Sequence, residues 1–236
     1  MEGAQFAGFM NIVREIKGPQ FSGFANISHG KENDAQFAGF INRGNTVNGV
    51  QVAGFINLAK KVKGPQISGF INIADSADYP VGIINLIKNG NKGFSLSMDE
   101  TQTTLLSFQS GGKRLYGLLG LGYNHKNRNE VYAMELGLGA CFFPNSVLNV
   151  HTELAVQTLE SFRTGEYFKT MLRLMPALTL FQSIELSGAP TLNFVTTNTS
   201  EGRLLHPKNI SNRENRWNDR YHALYWGYQT RIRVIF

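Results

Sequence analysis

The sequence predicts an all-β protein in two parts, a β-solenoid repeat domain over residues 1–92 and an eight-stranded antiparallel up-and-down β-barrel over residues 93–236. Three observations predict this fold. A phrase of the form Gln-x-x-Gly-Phe-x-Asn recurs about every 15 residues in the first part, and alternation of apolar and polar residues at period 2 fills the second. No stretch approaches the roughly 18 consecutive apolar residues of a transmembrane helix.

Six copies of the repeat lie between Ala4 and Leu86, and their asparagines are 13 to 16 residues apart. This period is too short for helical repeats of roughly 33 to 47 residues, so each copy is expected to form one coil, or half of one wider coil, of a β-solenoid. Polar stretches between copies, such as Lys60–Gly64, are predicted to be turns. We expect the asparagines that end the copies to form a hydrogen-bonding ladder that stabilises the stacking, the alternative being a binding face. These residues are Asn11, Asn26, Asn42, Asn57, Asn72 and Asn85. We expect the phenylalanines that follow the repeat glycine to stack in an interior column. These residues are Phe9, Phe24, Phe40, Phe55 and Phe70.

The second part contains eight alternating runs, at residues 93–100, 103–110, 115–125, 131–143, 148–160, 168–181, 184–196 and 223–236. A transmembrane β-strand needs about 9 to 11 residues with lipid-facing apolar positions alternating with lumen-facing ones. In the fifth run, Leu148, Leu154 and Val156 share one face, and His151 and Glu153 share the other. The runs therefore match the strands of an outer-membrane-type barrel.

The connections between runs alternate in length, with short turns at 109–114, 144–147 and 181–183 and longer loops at 124–130, 161–167 and 197–222. Outer-membrane barrels have short periplasmic turns and long external loops. Aromatic residues gather at run ends on the apolar face, as interfacial girdles require: Tyr123, Tyr132, Phe168, Phe194 and Trp226 at one level, and Phe142 and Phe236 at the other. A soluble antiparallel sheet also alternates. That alternative predicts that Trp226, Leu174 and Leu138 are buried by protein.

The ending Tyr228–Phe236, with Phe236 on the lipid-facing side, resembles the C-terminal signal that the bacterial barrel-assembly machinery reads. Together the repeats and the barrel resemble small outer-membrane proteins of the Bacteroidetes type, which carry surface-type repeats ahead of a barrel and mostly lack an assigned function. The resemblance implies the outer membrane of a Gram-negative bacterium as location and the barrel-assembly machinery as a partner. We expect a signal peptide to be absent from this chain.

The net charge of +6 is spread over both parts, and no cluster is typical of a nucleic-acid-binding protein. Basic residues concentrate in the longest predicted loop: Arg203, Lys208, Arg213, Arg216 and Arg220. This external loop is a candidate for binding the phosphates of lipopolysaccharide, because guanidinium groups match phosphate oxygens, and the alternative is a solvated loop. The single cysteine, Cys141, is interpreted as a small lumen-facing core residue.

The sequence contains no Gly-x-Ser-x-Gly, His-Glu-x-x-His, paired Cys-x-x-Cys, Walker or dinucleotide-binding motif, so we expect no enzyme, cofactor or metal. Titratable residues on the inward faces of the runs form a predicted lumen network: Asp99, Glu135, His151, Glu153, Lys169, Arg173, Glu185, Arg231 and Arg233. Eight strands enclose a bore that side chains just fill, and unpaired buried charges are costly. We therefore expect pairing, of Glu153 with Arg173 and of Glu185 with Arg231 or Arg233.

These patterns predict a non-enzymatic outer-membrane protein with a filled polar lumen and a structural, envelope-interaction or adhesion role. Outer-membrane lipid is its expected partner, and another envelope protein is a further candidate partner. A narrow channel or anion binder is the alternative if Arg231 and Arg233 are unpaired. A lipid A-modifying enzyme using His151 and Glu153 is a further alternative. An even number of strands puts both ends of the barrel on the periplasmic side.

Overall fold

The computed structural model describes residues 2–30, 34–144, 147–162, 165–181, 183–206, 209–215 and 220–236. The chain divides into two compact units, Met1–Asn91 with Ser110–Gly117, and Lys92–Gln109 with Leu118–Phe236. The first is the repeat unit and the second the barrel unit. Within the described residues, no helix is long and apolar enough to span a membrane.

The repeat unit is built from short parallel strands. In chain order these are β1 (Gln5–Ala7), β2 (Met10–Val13), β3 (Gln20–Ser22), β4 (Ala25–Ser28), β5 (Gln36–Ala38), β6 (Ile41–Arg43), β7 (Thr46–Val47), β8 (Gln51–Ala53), β9 (Ile56–Leu58), β10 (Lys61–Ser68), β11 (Ile71–Ala74), β12 (Ser76–Val81) and β13 (Ile84–Ile87). Strands β1, β3, β5, β8, β10 and β12 stack into one sheet, with β7 also paired to β10, and β2, β4, β6, β9, β11 and β13 stack into another. Equivalent positions of successive coils pair directly, for example Asn42 with Asn57. The repeat therefore forms the predicted solenoid.

Amide side chains occupy the interior of the coils. The Nδ2 of each repeat asparagine donates to the Oδ1 of the next one along, over 2.8–3.0 Å. The same Nδ2 also donates to a backbone carbonyl of the next coil. A second ladder joins Gln66, Gln51, Gln36, Gln20 and Gln5 over 2.9–3.1 Å, and it donates in the opposite direction along the chain. The ladders satisfy most of the buried amide groups, and Gln66 Oε1, at the end of the glutamine ladder, has no hydrogen-bond partner among the described residues.

The repeat phenylalanines stack, but on the outside of the coils. Ring centroids in the column from Phe9 to Phe70 are 5.0–5.2 Å apart and the rings are nearly parallel. Phe9 is 65% exposed, and Phe24, Phe40 and Phe55 are 38–40% exposed. The predicted interior column is therefore wrong. Strand alternation points the glutamine and asparagine of each copy inward, so the phenylalanine that follows the corner glycine faces outward.

The apolar part of the interior comes from the stretches between copies. Val47, Val62, Ala74, Ala77 and Ile87 form a buried cluster. The prediction that Lys60–Gly64 is only a turn is wrong, because β10 begins at Lys61. Val62 lies between Lys61 and Lys63, and this alternation is expected of a short strand that points one apolar side chain inward.

The last coil of the repeat unit is closed by residues 110–117. The backbone N–H of Asn85 donates to Ser110 Oγ over 2.9 Å, and Asn85 Nδ2 donates to the Ser110 carbonyl over 3.2 Å. The asparagine ladder thus has a hydrogen-bonded end. The glutamine ladder stops one coil earlier, at Gln66, because its partner in register is Pro80.

The barrel strands are β14 (Lys92–Asp99), β15 (Thr103–Gly111), β16 (Leu115–Asn124), β17 (Tyr132–Phe142), β18 (Leu148–Glu160), β19 (Tyr167–Leu180), β20 (Ile184–Thr197) and β22 (Arg220–Ile235). Over the described parts of the chain, these eight strands pair in this order, and antiparallel pairing of β14 with β22 closes the barrel. The fold predicted from the sequence is confirmed.

Burial alternates along each barrel strand. In β18 the inward Glu153 is fully buried, whereas the next residue, Leu154, is 57% exposed. Trp226, Leu174 and Leu138 are 61%, 55% and 43% exposed, so the burial that a soluble sheet requires for them is not observed. The outer wall is an apolar belt with exposed aromatic residues at strand ends, such as Tyr132 and Phe142.

The longest connection has structure that the sequence did not predict. It contains the short helix α1 (Ser200–Leu204) and β21 (Ser211–Asn215), which pairs with β22. Thr199 is the N-cap of this helix, because its side-chain hydroxyl accepts a hydrogen bond from the Gly202 N–H over 3.2 Å.

Candidate functional site

The centre of the barrel lumen holds an arginine between two carboxylates. Arg173 on β19 donates to both oxygens of Glu135 on β17, and to Glu153 on β18 over 3.1 Å. Arg231 on β22 donates to both oxygens of Glu153 over 2.6 and 2.8 Å. Arg173, Glu135 and Glu153 are at most 1% exposed. Glu153 therefore joins two arginines from different strands.

A second cluster lies toward the end of the barrel that carries the long loops. Lys169 Nζ is 2.5 Å from Asp99 Oδ2 and 3.8 Å from Glu100 Oε1. Glu100 Oε1 also accepts hydrogen bonds from the Tyr225 hydroxyl over 2.9 Å and from Asn193 Nδ2 over 3.0 Å. Sequence reasoning missed the role of Glu100, because it follows the inward-facing Asp99 at the end of a run and alternation predicts an outward side chain, yet this side chain is only 3% exposed.

A third cluster lies toward the other end of the lumen. Glu185 on β20 accepts from His151 Nε2 at 3.2 Å and lies 3.8 Å from Arg233 on β22. Cys141 pairs in register with His151 across β17 and β18 and is half-buried. The expected pairs of Glu153 with Arg173 and of Glu185 with Arg233 thus occur, and Arg231 pairs with Glu153 rather than with Glu185.

The lumen network does not resemble a site for chemistry at the lipid surface. All nine of its predicted residues are at most 6% exposed. Each carboxylate faces a cation within the bore, and the three clusters lie at successive levels between the two ends of the strands. Such an arrangement fills the bore with paired charges, which is the outcome that the cost of burying isolated charges favours. Among the described residues, no cluster of histidine, cysteine and carboxylate side chains could hold a metal ion.

Two arginines of the basic loop pair with acids. Arg203 Nη1 contacts Glu214 Oε1 at 2.9 Å, its guanidinium lies 5.5 Å from the Tyr221 ring, and Arg220 Nη2 contacts Glu166 Oε2 at 2.8 Å. Arg213 is exposed. Lys208 and Arg216, which were also predicted to belong to this cluster, lie outside the described residues.

The long loops also form a polar cup that sequence reasoning missed. Its volume is about 590 Å³. It is lined by Arg128, Asn129, Glu130, Ser161, Thr199, Ser200 and Glu201. Burial raises the pKa of Glu130, against hydrogen bonds from Thr199 and Asn127 that lower it. No motif in the sequence marks this cup, because its residues come from three separate loops.

The repeat ladders are the remaining predicted site. Their side chains face inward and bond to one another, so the surface of the repeat unit is made by other residues. The C-terminal Phe236 is 67% exposed, and its backbone N–H donates to the Lys92 carbonyl over 2.9 Å. The last residue is thus fixed beside the first barrel strand.

No protein-family model matches the chain, and no curated protein matches it. Among solved structures, the chain is similar to the N-terminal β-barrel domain of Pseudomonas aeruginosa OprF, with 8% identity, a TM-score of 0.35, and coverage of 62% of this chain and 96% of that one. It is also similar to Neisserial surface protein A, with 9% identity, a TM-score of 0.31, and coverage of 62% and 94%. The assignment of a closed antiparallel barrel rests on the strand pairing of the chain itself.

Proposed function

We propose that the chain is a non-enzymatic outer-membrane protein whose barrel is a closed anchor and whose repeat unit is available to an envelope partner. The observation that carries this proposal is the contrast between the two sides of the barrel wall. Large apolar residues such as Leu154, Leu174 and Trp226 face outward, whereas the charged residues of the wall face inward and pair with one another. This is the distribution that a lipid exterior and a plugged lumen require.

A narrow anion path is less well supported. Such a path needs arginines that present their charge to water in the bore. Arg231 and Arg233 are 4–5% exposed, and each has a carboxylate partner, Glu153 and Glu185 respectively. The lumen charges therefore stabilise one another instead of lining a channel.

A lipid A-modifying activity is also less well supported. His151 and Glu153, the residues considered for it, point into the bore, and His151 is hydrogen-bonded to Glu185. A substrate held in the outer leaflet would meet the apolar belt rather than these side chains. Two threonine hydroxyls do contact imidazoles near the outward strand ends, Thr196 with His222 at 3.0 Å and Thr104 with His125 at 3.1 Å, but neither pair includes His151 or Glu153.

The strand topology suggests on which side of the membrane the first and last barrel strands have their ends. An even number of strands puts the start of β14 and the end of β22 at the same end of the barrel, together with the short turns. We assign that end to the periplasm, with an envelope component as the partner of the repeat unit and the barrel-assembly machinery reading Phe236. On the external side, exposed Arg213 is the loop residue best placed to meet lipopolysaccharide phosphates. If the ends were outside, adhesion would be the better role.

The experiment that tests the closed anchor is ion conductance of the full chain reconstituted in planar bilayers. We expect no steady conductance for the wild type. A variant with Arg231→Gln and Arg233→Gln should change conductance little, and His151→Ala should leave the mass of lipid A unchanged in cells that express it. An anion conductance that the double variant abolishes would support the channel instead, and a lipid A mass change lost in His151→Ala would support the enzyme.

A further inference from the structure

The repeat unit is amphipathic around its circumference. The strand residues from each repeat glutamine onward form one apolar outer face, and the second sheet forms another. The linking stretches, which run from the second sheet to the next repeat glutamine and include the starts of β10 and β12, carry the charges. In the strands β2, β4, β6, β9, β11 and β13, all of whose residues are described, Arg43 is the single charged residue. The strands β1, β3, β5 and β8, likewise fully described, contain none.

The two apolar faces meet at the phenylalanine column of Phe9, Phe24, Phe40, Phe55 and Phe70. On one side of this column lie Ile12, Ile73 and Leu86, which are 36–58% exposed. On the other side a second column of rings, Phe6, Phe21 and Phe37, stacks at 4.9 Å, with a groove of about 440 Å³ beside it. Exposed phenylalanine alone amounts to several hundred Å², which reaches the size of the largest apolar patch on a typical soluble monomer.

The charged side of the repeat unit carries exposed acids as well as exposed lysines, and its lysines cluster in one place. Lys60, Lys61 and Lys63 are exposed and lie close together in one linking stretch, whereas Lys17 pairs with Glu2 over 3.2 Å. Lysines at the edge of an apolar face can extend to anionic headgroups while their alkyl chains remain over apolar surface. An apolar face with aromatic residues and flanking lysines is the arrangement of interfacial membrane-binding elements.

We propose that the occupant of the two apolar faces is the surface of an anionic lipid bilayer, with the phenylalanine column inserted deepest and the linking stretches in water. This inference rests on the proposed outer-membrane location. Only four residues separate the end of β13 at Ile87 from the start of β14 at Lys92. Four residues span at most roughly 14 Å, so a membrane-embedded barrel keeps the end of β13 near the bilayer. A lipid surface also accounts for an amide interior combined with an apolar exterior.

The test uses single-tryptophan variants of the full chain in phosphatidylglycerol-containing vesicles, with and without brominated acyl chains. Trp217→Phe leaves Trp226 as the barrel reporter. Phe40→Trp, made with Trp217→Phe and Trp226→Phe, reports on the phenylalanine column, and Lys61→Trp in the same background is the matched control on the charged side. We expect bromine to reduce the fluorescence of the reporters at 226 and 40 to a comparable degree and to leave that at 61 nearly unchanged.

The outcomes separate the two proposals. If Trp226 is not quenched, the barrel is not in lipid, and the outer-membrane proposal fails. If Trp226 is quenched and the reporter at 40 is not, only the present inference is overturned. If the fluorescence of the tryptophan at position 40 changes with the protein-to-lipid ratio and not with bromine, a second copy of the chain covers the apolar faces and the inference is overturned. If Phe40→Trp fails to fold, Ile73→Trp on the adjacent face replaces it, with the same expected result.

Discussion

Replacing Arg173 with methionine should be among the most destabilising single changes in the barrel. Arg173 is 1% exposed and contacts two carboxylates, Glu135 and Glu153. Glu153 keeps Arg231 as a partner in the variant. The carboxylate of Glu135 is left buried without the arginine it contacts, and methionine cannot donate a hydrogen bond to it.

The expected cost follows from this geometry. Removing one partner of a buried ion pair costs about 3–5 kcal/mol, because the remaining charge is uncompensated. At about 1.4 kcal/mol per factor of ten, the unfolding equilibrium should shift by roughly two to nearly four orders of magnitude. With a slope of roughly 2 kcal/mol per molar urea, the unfolding midpoint should fall by about 2 M.

The assay is urea unfolding of the full chain in lipid vesicles, followed by tryptophan fluorescence and by the mobility of unboiled samples on gels. Arg203→Met is the matched control, because Arg203 pairs with the exposed Glu214 and such pairs contribute about 0–1 kcal/mol. Adding Glu135→Gln to Arg173→Met should recover part of the loss. The reasoning would be refuted if Arg173→Met shifted the midpoint no more than Arg203→Met does.

Three further predictions concern the ladder, the belt and the external loops. Asn42→Leu should lower the stability of the repeat unit by about 2–4 kcal/mol, because Asn26 loses a buried acceptor and Asn57 loses a buried donor. The control Asn45→Leu, near the surface, should cost less. Hydrogen exchange of the repeat strands measures both effects. Leu138→Arg in the belt should cost about 2–4 kcal/mol in vesicles, and Phe142→Arg near a strand end about 0–1 kcal/mol, as judged by urea midpoints. Because burial raises the pKa of Glu130, the stability that this group contributes is present at low pH and is lost as pH rises through its folded-state value. The protection of external-loop amides against hydrogen exchange, relative to their intrinsic exchange rates, should therefore fall over that range in the wild type and not in Glu130→Gln.

The barrel could be predicted from the sequence because its signal is repeated in every strand. The inward and outward residues of β18 follow from period-2 alternation alone, and the bounds of the eight runs differ from the observed strands by a few residues. The pair of Glu153 and Arg173 follows from the neighbouring positions of β18 and β19, where the two residues are in register.

The repeat unit was harder to predict in detail, because a period of about 15 residues fixes stacking and does not fix which side faces inward. Hydrophobicity favoured an interior column of phenylalanines, yet mutual hydrogen bonding makes Asn and Gln ladders acceptable inside. The phenylalanines therefore remain on the surface. The same ambiguity hid the glutamine ladder and the inward Val62.

The external cup and the role of Glu100 depend on contacts between distant segments. Glu130 meets Thr199 across 69 positions of the sequence, and Tyr225 reaches Glu100 from the last strand. Neither contact is signalled by a periodic pattern in the sequence. Such contacts become visible only when strand order and loop conformation are both known.

The central claim is that this chain is a membrane barrel, and heat-modifiable gel mobility tests it most directly. The full chain would be refolded in detergent micelles or liposomes and compared before and after boiling, beside a sample refolded in detergent-free buffer. The account predicts a mobility shift on boiling and no cooperative folding without detergent or lipid. Cooperative folding in plain buffer with no mobility shift would contradict it.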